Sequence, residues 1–195
     1  VAGSQTFRIK KGQRFITNSS TASMGYGLPS AIGACLASGG KRTVGVNGDG
    51  GFVMNIQELE TIRRLNLPIK LFVLCNRGYG AITATQTNLF QRHFVACNEE
   101  SNLSIPPIAK VAAAFGLKTV SIHSNAELEE KVREALEYDG PVIAEVFTPL
   151  TLTAKQVSYK RRDGQMESLP LEYMNPPLSE EEMAENMWIA PYEMN

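Results

Sequence analysis

Little in this chain is extreme, and each scarcity closes off a class of function. The formal net charge is only −1, from 19 basic and 20 acidic residues. No broad basic surface is implied, so nucleic acid and anionic membranes are not expected as partners. No apolar run approaches the roughly 20 residues that span a bilayer, and the first residues do not read as a secretory leader. Cysteine is sparse. Cys35, Cys75 and Cys97 are odd in number and lack metal or redox spacing, which points to reduced thiols in a cytoplasmic protein. Without secretion, the glycosylation patterns at Asn18 and Asn102 carry no weight. The two histidines, His93 and His123, stand apart from other ligand types and read as packing or surface residues. A share of 43% hydrophobic residues in 195 positions is enough for one sizeable core.

What the chain does have is concentrated between Thr43 and Gly80. This stretch reads as strand, Gly-rich turn, helix, strand and second Gly-rich turn. The first strand runs out at Asn47 into Gly48-Asp49-Gly50-Gly51, and the second ends at Asn76 before Arg77-Gly78-Tyr79-Gly80. In a parallel sheet both turns lie at the carboxyl ends of their strands, where open α/β sheets bind ligands. One carboxylate (Asp49) and one amide oxygen (Asn76) would then meet beside exposed backbone N–H groups. Mg²⁺ prefers a few protein oxygens completed by phosphate oxygens and water, so this set suits a metal-bound diphosphate. Glycines at 48, 50 and 51 allow the backbone to approach a phosphate, and the following helix presents free N–H groups to the same anion.

The run GDGGFVMNIQELETIRRLNLPIKLFVLCNRGYG resembles the metal- and diphosphate-binding signature of thiamine-diphosphate (ThDP) enzymes. The likeness is to the branch containing acetolactate synthase and 2-oxo-acid decarboxylases. Where that family often has Asn-Asn, this chain has Cys75-Asn76, which keeps the ligand position and leaves Cys75 as a buried strand residue. The resemblance implies Mg²⁺ ligands at Asp49, Asn76 and the Gly78 carbonyl. It implies cofactor contacts at Gly48, Gly50, Gly51, Asn76, Tyr79, Gly80 and Ala81. Gly3-Ser4-Gln5 looks like the family's short diphosphate turn, making Ser4 and Gln5 further contacts. The segment Ala22-Ser23-Met24-Gly-Tyr-Gly-Leu-Pro is similar to the one that holds the cofactor rings. There the Ala22 carbonyl would accept from the aminopyrimidine, and Met24 would wedge the cofactor into its bent form. Thr85, Gln86 and Phe90 would lie toward the substrate.

The same resemblance implies no catalytic side chain in these residues. In such enzymes the glutamate that activates the cofactor belongs to a separate pyrimidine-binding domain, normally of another subunit, so a homo-oligomer is expected. The reaction implied is decarboxylation of a 2-oxo acid, pyruvate by default, followed by protonation or ligation to a second carbonyl. FAD, where a relative carries it, sits on a middle domain. The chain opens at Val1 with no strand before Gly3, so the expectation is a piece of a larger acetolactate-synthase-like enzyme. The alternatives are a small subunit of a split decarboxylase and a non-catalytic nucleotide- or phosphate-binding module.

The remaining pattern predicts a doubly wound parallel sheet with helices on both faces. Pro29 opens a helix ending at Gly39-Gly40, and Ile56, Leu59, Ile62 and Leu65 stripe another over Asn55–Asn66. Pro68 starts the near-continuous apolar strand Ile69–Cys75. Tyr79–Phe90 is expected to be helical, and Phe94–Pro107 irregular and mobile. A helix over Ile108–Phe115, a strand over Lys118–Ile122, a helix capped by Asn125 and a strand over Pro141–Phe147 complete the domain, taken as 1–148. Residues 149–195 read as an extended tail. Its one short helix is capped by Ser179 and Glu182, and its faint likeness to proteins of surface-sugar biosynthesis hints at a sugar or aldehyde acceptor.

Overall fold

The computed structural model describes residues 3, 6–150, 159–162, 165–170, 172–173 and 177–189. The elements run α1 (Gly27–Ala37), β1 (Thr43–Gly48), α2 (Asp49–Val53), α3 (Glu58–Arg64), β2 (Ile69–Cys75) and α4 (Gly80–Leu89). A short 3₁₀ turn (Glu99–Ser101) precedes α5 (Ile108–Ala114), β3 (Lys118–Ile122), α6 (Asn125–Glu137) and β4 (Val142–Phe147). Strands β5 (Tyr159–Arg162) and β6 (Gln165–Ser168) and helix α7 (Glu180–Asn186) follow.

Four strands form one sheet in the order β1-β2-β4-β3. Every pairing in it is parallel, so β1, β2 and β4 all release the chain at the same edge. The two central strands explain the sequence pattern: alternate residues of β2 enter two different cores. Ile69, Leu71 and Val73 join Leu28, Ile32, Phe52, Leu59, Ile62 and Ile108 under α1, α3 and α5. Val142 and Ala144 of β4 turn the other way and join Val120, Ile122 and Ala135 of α6. Helices thus cover both faces, as expected of a doubly wound sheet. Burying a large aliphatic side chain contributes about 1.5–3 kcal/mol, so these two clusters are what hold the strand ends in place.

Several local expectations shift. The helix predicted over Asn55–Asn66 is regular only from Glu58, because the Asn55 side chain turns away to the Gly25 carbonyl (2.8 Å) and residues 55–57 close as tight turns. Helix α6 is capped by Ser124 rather than Asn125: the Glu127 carboxylate accepts the N–H of Ser124 (2.9 Å) and that of His123. Ser179 caps α7 as expected, accepting the Glu182 N–H at 3.1 Å. The tail holds an antiparallel ribbon, β5 with β6, which the sequence reading left as extended chain.

Candidate functional site

The site grows out of the carboxyl edge of β1 and β2. Strand β1 passes into α2 without an intervening loop, so Asp49 is the first residue of that helix and is only 2% exposed. Its carboxylate bridges the two turns: Oδ1 accepts the Gly50 N–H and Oδ2 the Arg77 N–H, both at 2.7 Å. Burial raises the Asp49 carboxyl above its ordinary range, and the N–H groups of Arg77, Gly50 and Asn76 act against that rise. Each carboxylate oxygen can accept two hydrogen bonds, and each takes one short backbone bond here. Beside it, the Asn76 side-chain oxygen accepts the Gly78 N–H at 3.2 Å, and Arg77 takes a left-handed backbone (φ 59°) to make the corner.

The glycines differ in what they permit. A Cβ on Gly50 would stand 2.5 Å from two ring atoms of Tyr79 and 2.9 Å from the Met24 methyl, so the Met24 segment and the second turn both close on this point. A Cβ on Gly51 would lie 2.8 Å from the Asn47 side-chain oxygen, and one on Gly78 would lie 2.9 Å from the Cys97 carbonyl. At Gly48 a Cβ would meet nothing within 4 Å, so open space fronts the turn there. Met24 remains 43% exposed, and Ala22 adopts φ 46° just before it.

The donor set suits a metal-bound diphosphate. It offers one charged and two neutral oxygens and backbone N–H groups at a helix start, while the unpartnered Asn47 Nδ2 is buried beside Gly27. Among the described residues no three His, Cys, Asp or Glu side chains gather as a metal site. A cation here would accordingly depend on an anionic ligand for its remaining oxygens.

Of the predicted positions, Asp49, Gly50, Gly51, Asn76, Gly78, Tyr79 and Met24 come together. Ser4 and Gln5 lie outside the described residues. Gly80 and Ala81 open α4 directly after Tyr79. Ser23 lies one residue before Met24, on the exposed approach. Gln86, expected toward the substrate, is tied to the following loop. Its Oε1 accepts the Val95 N–H (2.9 Å) and the Cys97 thiol (3.0 Å). Thr85 bonds its own helix through Ala81, while Phe90 is 59% exposed. His123 stacks on Phe147 with ring centroids 4.5 Å apart, a packing role that agrees with its reading. The three cysteines are free and buried, and burial, with Glu145 and Asp49 nearby, pushes the Cys75 thiol up to about 12, so it stays a neutral strand residue.

Sequence reasoning missed Asn47, Asn55, Asn98 and Glu145. Asn47 carried a signal, being a polar side chain on an inward position of an otherwise apolar strand. The Phe94–Pro107 segment is irregular as expected, yet its centre holds a capped 3₁₀ turn on a buried Cys97. Between that segment, β2 and β4 lies a hollow of about 590 Å³ lined by Asp49, Cys75, Arg77, Glu99, Glu145 and Phe147. Glu145 is satisfied at its wall by the Ile108 N–H (3.1 Å) and the Ser121 hydroxyl (3.3 Å).

Comparison with known proteins agrees with this arrangement. The family described as "Thiamine pyrophosphate enzyme, C-terminal TPP binding domain" matches residues 1–146. Acetolactate synthase 2, chloroplastic, of Zea mays is 32% identical over 149 residues, covering 74% of this chain and 23% of that protein. The acetolactate synthase large subunit of Porphyra purpurea is 34% identical over 140 residues, covering 72% and 23%. The chloroplastic acetolactate synthase of Arabidopsis thaliana is 32% identical over 149 residues, covering 74% and 22%. The chain therefore spans less than a quarter of the length of these relatives. A parallel α/β sheet with its glycine turns at the carboxyl edge, matched along most of its length, places the chain in the thiamine pyrophosphate enzyme family, as a C-terminal TPP-binding domain of the acetolactate synthase branch.

Proposed function

We propose that this chain holds the diphosphate end of ThDP through Mg²⁺, in an enzyme that decarboxylates a 2-oxo acid and passes the product to a second carbonyl. One observation carries the reading: the buried Asp49 carboxylate is held against the Asn76–Arg77 corner, beside open space at Gly48. Asp49, Asn76 and the Gly78 carbonyl would hold the metal. Gly48, Gly50, Gly51, Tyr79, Gly80 and Ala81 would line the phosphates, with Ser4 and Gln5 as further contacts. The Ala22 carbonyl, Ser23 and Met24 would face the rings.

When bound, ThDP supplies the electron sink for making and breaking a carbon–carbon bond next to a carbonyl. The chain's own part is to neutralise the diphosphate, fix the cofactor's position and keep Met24 as an apolar support. The family resemblance puts the activating glutamate outside these residues. A pyrimidine-binding domain, of the parent polypeptide or of a partner subunit, would bring it, and the relatives' greater length supports that arrangement. Residues 1–148 then form the binding domain and 149–195 the tail. Pyruvate is the default substrate, as the family resemblance implies.

The deciding experiment is calorimetric titration of the full-length protein with ThDP, with and without Mg²⁺, for wild type and Asp49→Ala. Magnesium-dependent binding lost in the variant is expected. Unchanged binding in the variant would remove the metal assignment, and binding of ATP or NAD in place of ThDP would favour a nucleotide-binding module.

A further inference from the structure

We propose that Asn98 is the positioning residue for the second turn. It fixes the Cys97 carbonyl, and through it the backbone of Gly78 and Tyr79, relative to Asp49. The inference deepens the proposed function and rests on its reading of that turn as part of the metal and diphosphate site.

The Cys97 carbonyl is the point where the loop after α4 meets the turn. It accepts the Tyr79 N–H at 2.8 Å and the Thr83 hydroxyl at 3.2 Å. It also stands 2.9 Å from where a Cβ on Gly78 would be, so loop and turn are in direct contact. A carbonyl can set a turn only if its own position is set, and here Asn98 does so. Asn98 is 5% exposed, and its side-chain oxygen accepts both the Ser101 N–H (3.0 Å) and the Ser101 hydroxyl (2.8 Å). That hydroxyl oxygen in turn accepts the N–H groups of Cys97 (2.9 Å) and Asn98 (3.1 Å). The peptide carrying the Cys97 carbonyl is thereby gripped from behind, and Gln86 holds the other side of Cys97 from α4.

A buried, closed polar network of this kind gives one geometry rather than several, because each unmade bond in it would leave a buried polar group unsatisfied. Its location gives it a role beyond stability. Every bond in the chain Asn98–Ser101–Cys97–Tyr79 lies between the fold and the backbone segment that carries the Asn76 and Gly78 ligands. Partners that orient ligands in this way typically matter by about 10- to 100-fold in metal affinity.

The test compares wild type, Asn98→Ala and Asn98→Asp in the full-length protein. Asp keeps the acceptor oxygen that Ser101 needs, whereas Ala removes it. Two quantities are read: hydrogen exchange of the Tyr79 amide in the protein free of metal and cofactor, and ThDP affinity across a Mg²⁺ titration. Asn98→Ala is expected to expose the Tyr79 amide and to raise the Mg²⁺ concentration needed for ThDP binding by about 10- to 100-fold. Asn98→Asp should restore both. Should Asn98→Ala fail to fold, Ser101→Ala interrupts the same chain and is read the same way. Unchanged Tyr79 exchange overturns the proposal, as does faster exchange with unaltered ThDP binding. A wild-type protein that takes no ThDP would instead overturn the proposed function, and the exchange measurement alone would then decide whether Asn98 holds the turn.

Discussion

Two charged side chains are buried at opposite ends of the same parallel sheet, and they are treated in opposite ways. Lys70, near the start of β2, is 1% exposed, and Asp49, at the end of β1, is 2% exposed. Lys70 donates to the carbonyls of Tyr138 and Gly140, both at 2.5 Å, and lies 5.5 Å from the Tyr138 ring centroid. Those carbonyls belong to the chain leaving α6, so the lysine satisfies a helix exit with two of its three donors. Asp49 accepts the N–H groups of Gly50 and Arg77, one on each oxygen, beside the glycine turn. Burial pushes the two groups apart in sense, lowering Lys70 and raising Asp49. Depth alone therefore does not tell the two apart; their surroundings do, helix-exit carbonyls around Lys70 and a glycine turn around Asp49.

The comparison can be broken most forcefully at its two poles. Asp49→Ala should lower Mg²⁺-dependent ThDP affinity beyond the roughly 10- to 100-fold expected for a mere outer partner, read by calorimetry. Lys70→Met should do the reverse. ThDP affinity should hold, while denaturant unfolding reports a loss of about 1–3 kcal/mol for each carbonyl left unpaired. Equal effects of both substitutions on binding would erase the distinction.

A glycine pair sharpens the same contrast at the site itself. Gly50→Ala drives a methyl into the Tyr79 ring and the Met24 methyl, and should cost about 1–3 kcal/mol of stability as an overpacked contact. Gly48→Ala meets no protein atom within 4 Å, so its melting temperature should stay at the wild-type value while ThDP binding weakens. A Gly48→Ala protein that binds normally would mean that no ligand reaches this turn.

The smallest effect is expected at Glu127, far from the site. The His123 N–H, followed by that of Ser124, holds its carboxyl below the ordinary glutamate range. A depressed carboxyl contributes stability above its unfolded value and loses it as pH falls through the folded one. Wild type should therefore lose slightly more stability on acidification through and below the ordinary glutamate range than Glu127→Gln does, measured as the difference in melting temperature.

Which elements were legible follows from where their information lies. Strand β2 was readable because a strand covered on both faces must be apolar at nearly every position, and Lys118–Ile122 matched to the residue. The two glycine turns were readable because glycines and a polar Asp or Asn follow directly on apolar strands. Helix α3 began later than its apolar stripe suggested, since Asn55 is drawn to the Gly25 carbonyl, a contact 30 residues distant in sequence. The cap of α6 was displaced by one residue because Ser124 and Asn125 are both good caps and only backbone geometry chooses between them. The β5–β6 ribbon was missed because its residues, rich in charge, show no apolar alternation.

The sequence by itself determined the parallel α/β class, the placement of Asp49 and Asn76 at strand ends, and the family to which those turns belong. The first two are consequences of periodicity and local chemistry, and the family rests on the likeness of a motif, all of which the linear order carries. Only the tertiary structure decided that Met24 and Tyr79 converge on Gly50, that Asn47 buries an unpartnered amide, and that Cys97 and Asn98 close on the second turn. Those are meetings between segments far apart in the chain, and a hydrogen bond between two such residues leaves no mark on the spacing of either.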